Sequence, residues 1–583
     1  MFFRPEFTLC SSASHLSVYR EGAGTYTSIR KDNGKITQIQ VEGAVPRGQE
    51  CFGVMGIANL QATKYLAIIT EALFVGNIKG AKVFRVEQVE FCPYAPPSVL
   101  AVSQSKRTDD QYIDMYQEVI RSKSLYFSYD YDLTHSLQSC SDLQQTKKSQ
   151  HQVLRTEYCF FWNFFLAEDL INSLACDVLV PVISGFVQIE CAHFAGNEVE
   201  LALISRRDHR RAGVRFQTRG LDADGCAANF VETEQILILQ KNNRFSAASF
   251  VQIRGSIPLR WQQKPNLKWS PKGVVVGSAQ HNLEAAEKHF GEVLDKYGDV
   301  YVVNLIDKKG NQNELGLAFK TQVELLKNPR IHFTWFDFHH ECRANRWDNL
   351  SKLVHEVDSL LDQFNFFRCT MDAGGDWGEE TVEERQVGVF RTNCMDCLDR
   401  TNVVQSVLAR NMLHRQLNVL GLASKPTGDA FQALPGPLES CFRTFWVNNA
   451  NVISTLYAGT GALKVDFTLT GKRTKRGALD DGKNSLQRYV INNFYDGSRK
   501  NCIDAFLGKV TSISKLQPSP NRHSALYRLG IVLVLCLVLA HIAGKATGEG
   551  WSYLFGLVLG ILVLQKALTV NGRSLVDRPL LDS

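Results

Sequence analysis

Apolar and polar positions on either side of residue 395 predict a strand, a loop and a helix. QVGVF (386–390) is a short β-rich run and predicts a strand. NVVQSVLARNML (402–413) predicts a helix with one apolar face, because four apolar residues recur there at helical spacing: Val403, Val404, Val407 and Leu408. RTNCMDCLDRTN (391–402) is therefore predicted to be a loop that leaves a strand and enters a helix N-terminus.

The start of this helix is expected to be capped by Thr401 or Asn402. Backbone N–H groups at a helix N-terminus lack partners within the helix, and the helix dipole favours negative charge there. The loop is therefore predicted to form an anion-binding nest. A second pattern, the alternation of Trp335, Asp337, His339 and Glu341, predicts a strand end that forms a buried scaffold beside this loop.

Two apolar runs near the C-terminus predict a transmembrane hairpin over residues 526–570. They are LGIVLVLCLVLAHIAG (529–544) and WSYLFGLVLGILVL (551–564), and flanking residues extend each to the ~20 that a spanning helix needs. Basic residues flank the pair on both outer sides: Lys515, Arg522 and Arg528 before it, and Lys566, Arg573 and Arg578 after it. The positive-inside rule then puts both ends of the chain in the cytosol. Two buried core helices are the alternative.

The composition is that of a globular protein, with 44% hydrophobic and 21% charged residues. The net charge of +6 suits an anionic surface but does not by itself indicate nucleic acid. The fifteen cysteines are irregularly spaced, which predicts free thiols in a reducing cytosol.

Cys394 and Arg400 have the spacing C-x5-R within the loop. A thiolate among N–H donors and beside an arginine has a lowered pKa and is nucleophilic at neutral pH. A guanidinium can bind two phosphate oxygens and stabilise the transferring group. With fifteen cysteines, about one chance match is expected, so the strand before and the helix after carry the inference of phosphoryl transfer.

A phosphocysteine intermediate needs an acid for the leaving alcohol and a base for the attacking water. Asp396 and Asp399 both lie in the loop, and Asp396 is the first choice for the acid. Thr401 is expected to hydrogen-bond the thiolate or the water. Three further loop residues are expected to contact the bound substrate: Met395, Cys397 and Leu398.

Cys394 and Cys397 also form a C-x-x-C pair, which occurs in redox motifs and zinc sites. Zinc would need two further ligands, and FDFHHEC (336–342) is the only other dense source of them. We expect no metal and no cofactor. Cys397 is interpreted as a small buried residue, or as a redox-sensitive neighbour that forms a disulfide with Cys394.

Two basic clusters lie outside the loop. SRRDHRRAGVR (205–215) carries five arginines and is interpreted as a solvated face, or as a rim that binds an inositol phosphate or an anionic leaflet. GKRTKRG (471–477) is interpreted as a polar loop that contacts membrane or substrate through its basic residues: Lys472, Arg473, Lys475 and Arg476.

The loop is similar, almost letter for letter, to the catalytic loop of the Sac (suppressor of actin) domain phosphoinositide phosphatases. Five further segments resemble signatures of this family: FFWNFFL (160–166), SRRDHRRAGVRFQTRGLDADGCAANFVETEQ (205–235), SFVQIRGSIPLRW (249–261), FDFHHEC (336–342) and NANVISTLYAGTGALKVDFTLTGKR (449–473). The similarity extends from near the N-terminus to about residue 506. It is greatest to the integral-membrane branch of the endoplasmic reticulum and Golgi apparatus, whose members remove the 4-phosphate of phosphatidylinositol 4-phosphate.

The resemblance implies an α/β (α+β) fold, with a β-rich N-terminal Sac subdomain packed on a catalytic domain. The expected boundaries are 1–180 for the Sac subdomain, 181–506 for the catalytic domain, 507–525 for a linker, 526–570 for the hairpin and 571–583 for a cytosolic tail. It implies metal-independent hydrolysis of phosphatidylinositol 4-phosphate, and also of the 3-phosphate and some bisphosphates, with Cys394 as nucleophile and Arg400 as phosphate ligand. The implied partners are membrane phosphoinositides and contact-site tethering or lipid-transfer proteins, without nucleic acid.

Two alternatives stay open. A protein tyrosine phosphatase shares C-x5-R but has no need of the hairpin. A catalytically silent phosphoinositide-binding tether would be free to lose the Cys, Arg and Asp set that this chain keeps. One departure from the family bears on location: the last ten residues contain no lysine, so the usual lysine-based retrieval signal to the reticulum is missing.

Overall fold

The computed structural model describes residues 4–94, 103–146, 151–194, 196–241, 244–343, 346–372, 380–423, 429, 431–471, 474–510 and 576–580. No helix within these ranges is long and apolar enough to cross a membrane. The predicted hairpin (526–570), most of the predicted linker, and Lys472 and Arg473 lie outside the described residues.

The first five strands form a small antiparallel sheet in the order β4-β3-β2-β1-β5. They are β1 (Phe7–Ser11), β2 (His15–Arg20), β3 (Thr25–Arg30), β4 (Ile36–Gln40) and β5 (Gln49–Cys51). Alternate residues of β2, Leu16 and Val18, point inward and pack on Phe7 and Leu9 of β1, as a half-buried strand requires.

Thirteen strands form one large mixed sheet, and two more form a short ribbon. In chain order these fifteen strands are β6 (Val54–Asn59), β7 (Lys64–Ile78), β8 (Ala81–Pro93), β9 (Leu125–Ser128), β10 (Ile183–Phe194), β11 (Asn197–Arg207), β12 (Val231–Lys241), β13 (Arg244–Arg254), the ribbon β14 (Trp261–Gln262) and β15 (Val274–Val275), β16 (Asp299–Asn304), β17 (Ile331–Trp335), β18 (Phe367–Asp372), β19 (Thr381–Glu384) and β20 (Gly388–Asn393).

The large sheet changes from antiparallel to parallel along its width. β6 to β13 are antiparallel neighbours in chain order, whereas β13, β20, β16 and β17 pair in parallel. β18 and β19 extend from the other half of β13. The sheet runs unbroken across the predicted boundary at residue 180, because β9 pairs with β10. The two predicted subdomains therefore share one sheet.

Twelve helices are present among the described residues and cover this sheet. They are α1 (Ser103–Arg121), α2 (Leu137–Thr146), α3 (Phe164–Asn172), α4 (Ala279–Tyr297), α5 (Gly310–Leu326), α6 (Phe338–Glu341), α7 (Leu350–Phe364), α8 (Asp399–Val419), α9 (Leu438–Ala458), α10 (Val465–Thr470), α11 (Lys475–Phe494) and α12 (Asp496–Phe506). The mixed α/β fold expected from the sequence is confirmed.

Helix α8 is buried on nearly every side, not on the one face that the sequence pattern predicts. Its apolar residues pack between the sheet and α9. Two of its buried polar side chains donate to backbone carbonyls: Asn402 to Trp446 O at 3.2 Å, and Gln405 to Ile253 O at 3.2 Å. The helix that follows the Cys394 loop is thus held in the core.

The C-terminal segment 576–580 docks on α11 and α12. Val576 is buried against Leu267 and Phe494, and the carboxylate of Asp577 accepts the backbone N–H of Ser498 at 2.7 Å. The backbone of Arg578 lies directly over Gly497, where an added Cβ would come within 2.5 Å of the Arg578 carbonyl carbon. Part of the predicted tail is therefore bound to the folded body.

Candidate active site

The loop between β20 and α8 is residues 394–398, shorter than the predicted 391–402, because residues 391–393 belong to β20 and residues 399–402 to α8. It lies at the carboxyl end of a strand that pairs in parallel on both sides. Ligand sites in sheets of this kind form at the carboxyl ends of the strands. The helix begins at Asp399, so Thr401 and Asn402 lie inside its first turn and neither caps it; that prediction was wrong. The hydroxyl of Thr401 instead donates to Cys394 Sγ at 3.5 Å.

Cys394 has the environment of a thiolate. Its sulfur accepts the backbone N–H of Cys397 at 3.0 Å and the Thr401 hydroxyl. Burial by itself raises the pKa of the Cys394 thiol, but hydrogen bonding to Cys397, the charge of Arg400 and the Thr401 hydroxyl hold that pKa well below its ordinary value. At neutral pH the side chain is therefore an anion held inside the protein.

Cys397 remains a thiol beside this anion. Its backbone is left-handed, with φ of 53°, which turns its N–H toward Cys394. Its Sγ donates to Gly255 O at 2.8 Å, and burial followed by the neighbouring thiolate raises its pKa well above the ordinary value. Both cysteines are free, and the disulfide between them stays a prediction.

Arg400 lies between the Cys394 thiolate and a group of hydrogen-bond acceptors. Its Nη1 donates to Leu305 O at 2.9 Å, and to Asp307 Oδ1 and Gln312 Oε1 at 3.3 Å each. Burial lowers the pKa of the guanidinium, but the charges of Cys394 and Asp307 outweigh this and raise it. The cation is thus fully ionised next to the sulfur.

Asp396 is an ionised anchor in this conformation. Arg215 and Arg219 each donate to one of its carboxylate oxygens, at 2.7 and 2.6 Å. Burial raises the pKa of Asp396, but these two cations override it and hold the pKa far below its ordinary range. The predicted role of proton donor would require both arginines to move away first.

Asp399 is likewise bound on both oxygens. It accepts the backbone N–H of Leu463 at 2.6 Å and Nη1 of the buried Arg488 at 3.1 Å. The two aspartates therefore fasten the two ends of the loop to different segments of the fold, Asp396 to residues 215–219 and Asp399 to residues 461–488.

The three other loop residues that were predicted to contact the substrate differ in their exposure to solvent. Met395 is half-buried, and its backbone carbonyl accepts from Arg219 at 2.7 Å. Cys397 and Leu398 are buried, and Leu398 packs on Ile453 and Tyr457. Only the backbone of these two residues can therefore meet a substrate in this conformation.

Neither basic cluster has the structure expected from the sequence. Lys475 and Arg476 are exposed but lie in the first turn of α11, not in a polar loop. Arg206 and Arg207 of the other cluster are buried, so that run is not a solvated face. Arg206 binds Glu232 at 2.9 Å and Glu234 at 2.7 Å.

The predicted strand end near residue 337 is also wrong. β17 ends at Trp335, and Asp337 instead caps α6 by accepting the backbone N–H of His340 at 3.1 Å. The side chain of His339 is 54% exposed and binds Asp307 at 2.9 Å, so it is not part of a buried scaffold. Asp307 in turn contacts Arg400, which puts this pair beside the catalytic loop.

The sequence analysis did not identify two further cations near the Cys394 thiolate. Arg254 is buried, and its Nε and Nη2 have no hydrogen-bond partner among the described residues. Burial lowers the pKa of Arg254 to about 10, while the charges of Cys397 and Cys394 act in the opposite direction. No sequence pattern indicated Arg254, because its position depends on the parallel pairing of β13 with β20, in which Arg254 lies opposite Thr392.

Lys464 is the second of these cations. It has a left-handed backbone (φ 63°), and its ammonium lies over the rings of Phe338 and Trp347, 4.9 and 6.0 Å from their centroids. Burial, together with the charge of Arg400, lowers the pKa of Lys464 below its ordinary value, although the charges of Asp399 and Cys394 act in the opposite direction. No hydrogen bond or ion pair to its ammonium is found within the described part of the chain.

The described ranges contain no group of three or more His, Cys, Asp or Glu side chains that could hold a metal ion. The chemistry that this arrangement offers is nucleophilic: a stabilised thiolate, an adjacent guanidinium and backbone N–H groups at the start of a helix. Such a site can bind a phosphate group and accept it covalently.

Residues 52–343 match the family model described as the SacI homology domain. The chain is 40% identical over 486 residues to phosphatidylinositol-3-phosphatase SAC1 of Drosophila melanogaster, covering 82% of this chain and 78% of that protein. It is 35% identical over 590 residues to phosphatidylinositol-3-phosphatase SAC1 of Saccharomyces cerevisiae, covering 96% and 91%. It is 35% identical over 550 residues to phosphoinositide phosphatase SAC6 of Arabidopsis thaliana, covering 92% and 90%.

Proposed function

This chain belongs to the family of Sac-domain phosphoinositide phosphatases, and from that premise we propose that it hydrolyses phosphatidylinositol 4-phosphate through a phosphocysteine intermediate. Phosphatidylinositol 3-phosphate, the substrate in the names of two relatives, is proposed as a second substrate. The observation that carries the mechanism is the buried Cys394 thiolate beside the ionised Arg400 at the start of α8.

In the first step the Cys394 thiolate attacks phosphorus, so that an S–P bond forms while the bond from phosphorus to the inositol oxygen breaks. Arg400 and the loop N–H groups hold the non-bridging oxygens, where charge is concentrated in the transition state. In the second step water attacks phosphorus, the S–P bond breaks, phosphate leaves and the thiolate is regenerated. Thr401, whose hydroxyl reaches Cys394 Sγ, stabilises the thiolate as leaving group.

The inositol oxygen needs a proton as it leaves. Asp396 can supply it only after it separates from Arg215 and Arg219. His339 needs no such movement, because it is exposed at the site and already bound to Asp307 through Nδ1, which leaves Nε2 toward solvent. The pH profile separates the two: replacement of the true donor, by Asp396→Asn or His339→Asn, removes the alkaline limb of kcat.

Lys464 is proposed to bind the substrate phosphate or a second phosphate on the inositol ring. Its ammonium is held over Phe338 and Trp347 and has no described anionic partner to displace. A lysine acts on phosphate as a point charge, so Lys464→Met should raise KM more than it lowers kcat. Lys472 and Arg473, predicted to act similarly, lie outside the described residues.

The membrane partner is proposed to meet one face of α11, which we name the basic face: Lys475, Arg476, Leu479, Lys483, Leu486 and Val490. These residues recur at helical spacing, and Leu479 and Leu486 are 76% and 61% exposed. Trp269, stacked on Tyr489 of the same helix, is 61% exposed beside it. Exposed apolar side chains among cations are typical of a surface that binds anionic lipid.

The hairpin over residues 526–570 is proposed to anchor the enzyme in endoplasmic-reticulum and Golgi membranes, with both ends cytosolic. Contact-site tethering and lipid-transfer partners stay predictions. With the tail docked, residues 571–575 are the only link between the hairpin and the folded body on that side, and five residues extend at most about 18 Å. This short connection favours action on the enzyme's own membrane.

The catalytic proposal is tested with the full chain in vesicles that contain one phosphatidylinositol monophosphate at a time, with EDTA present. Phosphate release from the 4-phosphate lipid should be largest, should fall at least a thousandfold in Cys394→Ser, and should be unchanged in Cys191→Ser, an exposed cysteine far along the chain. Folded protein that binds these vesicles without releasing phosphate would favour the silent tether. Release from phosphotyrosine peptides alone would favour a tyrosine phosphatase.

The own-membrane proposal is tested by releasing the tail. Gly497→Ala adds a Cβ that collides with Arg578, whereas Gly482→Ala adds one on α11 with nothing within 4 Å. Activity on lipid in the enzyme's vesicles should greatly exceed activity on lipid in separate vesicles, and only Gly497→Ala should reduce that ratio. An equal ratio in both variants would contradict it.

A further inference from the structure

A cavity of about 210 Å³ lies where the end of α1 and the start of β10 meet α9 and α12. It is separate from the catalytic loop and is lined by both the N-terminal and the C-terminal parts of the fold. Its volume is below the ~300 Å³ at which sites for drug-sized ligands begin. A ligand of this cavity must therefore be small, or must insert only a small group.

Arg207, the last residue of β11, lines this cavity and has no acidic partner among the described residues. It is only 3% exposed, its Nη2 has no hydrogen-bond partner, and its Nη1 reaches Ser184 Oγ at 3.5 Å, the limit of a hydrogen bond. Its guanidinium lies 4.9 Å from the ring centroid of Trp162. A buried cation normally has a paired anion, as the adjacent Arg206 does.

The groups around Arg207 add positive charge and hydroxyl donors. The charge of Arg499, which also lines the cavity, lowers the pKa of Arg207 further after burial has lowered it, to about 9. Arg499 is itself paired with Asp496 at 2.6 Å through Nη1, and its Nη2 donates to the carbonyls of Thr455 and Leu456, so it adds positive charge to the cavity while these two nitrogens are already bonded. Ser122, Ser124 and Ser184 line the same space; the Ser122 hydroxyl donates to Val119 O at 2.6 Å and lies 2.7 Å from Ser124 Oγ. The one acidic lining residue, Glu118, is bound to Arg121 at the exposed end of α1.

We infer that this cavity binds a phosphate group, held by the Arg207 guanidinium with the Ser184 hydroxyl as a further donor and the charge of Arg499 in support. Phosphate suits this site better than a carboxylate, because its greater negative charge matches an unpaired guanidinium next to a second cation. The phosphate belongs either to a soluble ion or to a lipid headgroup at the membrane surface. Either source would bridge the two halves of the fold.

The binding test uses the full chain in nanodiscs of phosphatidylcholine, with Arg400→Met in every sample to weaken phosphate binding at the catalytic loop. Inorganic phosphate at 10 mM, against chloride of equal ionic strength, should raise Tm by about 1–2 °C. Adding Arg207→Met should abolish that rise, whereas adding Arg210→Met, which removes an arginine of the same segment outside the cavity, should preserve it. A rise that survives Arg207→Met, or no rise from phosphate in any form, would overturn the inference.

A second variant guards against failure to fold. Ser122 is exposed at the cavity, so Ser122→Glu supplies a built-in anion without disturbing the core. It should raise Tm in chloride and remove the response to phosphate. Arg207→Met should itself raise Tm in chloride, because it removes an unpaired buried charge. A fall in Tm for both variants in chloride would mean that Arg207 is structural.

The two sources are separated by nanodiscs that contain phosphatidic acid. If the group is membrane-borne, these nanodiscs should stabilise the Arg400→Met protein more than inorganic phosphate does, and Arg207→Met should remove the difference. If it is a soluble ion, inorganic phosphate alone should act. Stabilisation by phosphatidic acid that is equal with and without Arg207 would count against this cavity.

Discussion

The arginine segment, residues 205–219, and the basic face of α11 are both dense in cations, yet one lies inside the protein and the other outside. Arg206 and Arg219 are buried, whereas Lys475 and Lys483 are exposed. The difference comes from partners that are distant in sequence. Glu232 lies directly opposite Arg206 in the register of β11 and β12, and Asp396 reaches Arg219 from the catalytic loop.

This comparison shows that the density of charge along a chain does not determine where the charge goes. A buried cation is tolerated where an anion and hydrogen-bond acceptors converge on it, and its loss leaves those groups unpaired. An exposed cation has water on most sides and acts on whatever surface approaches it. The two regions should therefore respond oppositely to substitution, in stability for one and in membrane binding for the other.

The largest effect is expected at Arg206. Arg206→Met leaves Glu234 without a cation in the core and Glu232 with only the more distant Lys296, at 3.7 Å. It should lower the free energy of unfolding by about 3–5 kcal/mol, measured by urea denaturation. Adding Glu232→Gln and Glu234→Gln should restore part of it. Arg244→Met, which breaks an ion pair on the surface, serves as control and should not change stability measurably. An equal loss of stability in Arg206→Met and Arg244→Met would contradict the contrast between buried and exposed cations.

Arg219 should affect turnover more than folding. It donates to the Met395 carbonyl and to Asp396, so Arg219→Met releases one end of the catalytic loop. Misplacement of reacting groups by about 1 Å costs on the order of a hundredfold in rate, and we expect kcat to fall by that factor. Steady-state kinetics on vesicles measures kcat, and Tm checks that the variant is folded. Unchanged kcat in folded Arg219→Met would show that the loop does not depend on this anchor.

The basic face should govern membrane binding without governing stability. Replacing Lys475, Arg476 and Lys483 together by Gln removes about 1 kcal/mol of attraction per residue, or roughly a hundredfold in binding to anionic vesicles at low salt. Tm should stay the same, and kcat on a water-soluble inositol phosphate should too. High salt should reproduce the loss in the unaltered protein. Weaker binding accompanied by a lower Tm would mean that these residues are structural.

The smallest effect concerns the pH dependence of the thiolate. The pKa of Cys394 is well below its ordinary value, so its inactivation by iodoacetamide should hardly change between pH 8 and pH 6, while ordinary thiols slow about tenfold per unit. Arg254→Met removes a nearby buried cation and should raise that pKa, so that the rate falls several-fold at pH 6 and less at pH 8. Equal slowing at both pH values would indicate a steric effect.

The local sequence was sufficient for the order of strand, loop and helix around Cys394, because β20 and α8 are built from short-range patterns. It was not sufficient for their bounds, since β20 extends to Asn393 and α8 begins at Asp399. It could not show that Asp396 and Asp399 are both anchored, since their partners come from residues 215–219 and from 463 and 488. Thr401 illustrates the same limit: its residue type suits a cap, but the thiolate takes its hydroxyl.

The burial of the arginine segment could not be predicted from the sequence either. The reading as a solvated face rested on composition alone, whereas the register of β11 with β12 sets the acidic neighbours of Arg206. The short helix α6 was read as a strand end because four residues cannot display a helical period. The position of Lys464 could not be predicted either, because no residue pattern indicated its left-handed backbone.

With the tail docked, the chain leaves the folded body after Val510 and returns to it at Val576. Val510 accepts the hydroxyl of Tyr112 on α1, and Val576 is buried against Phe494, so both ends of the segment between them are held by one body. A single protease cut within residues 511–575 would break the chain but leave both pieces bound to the folded body.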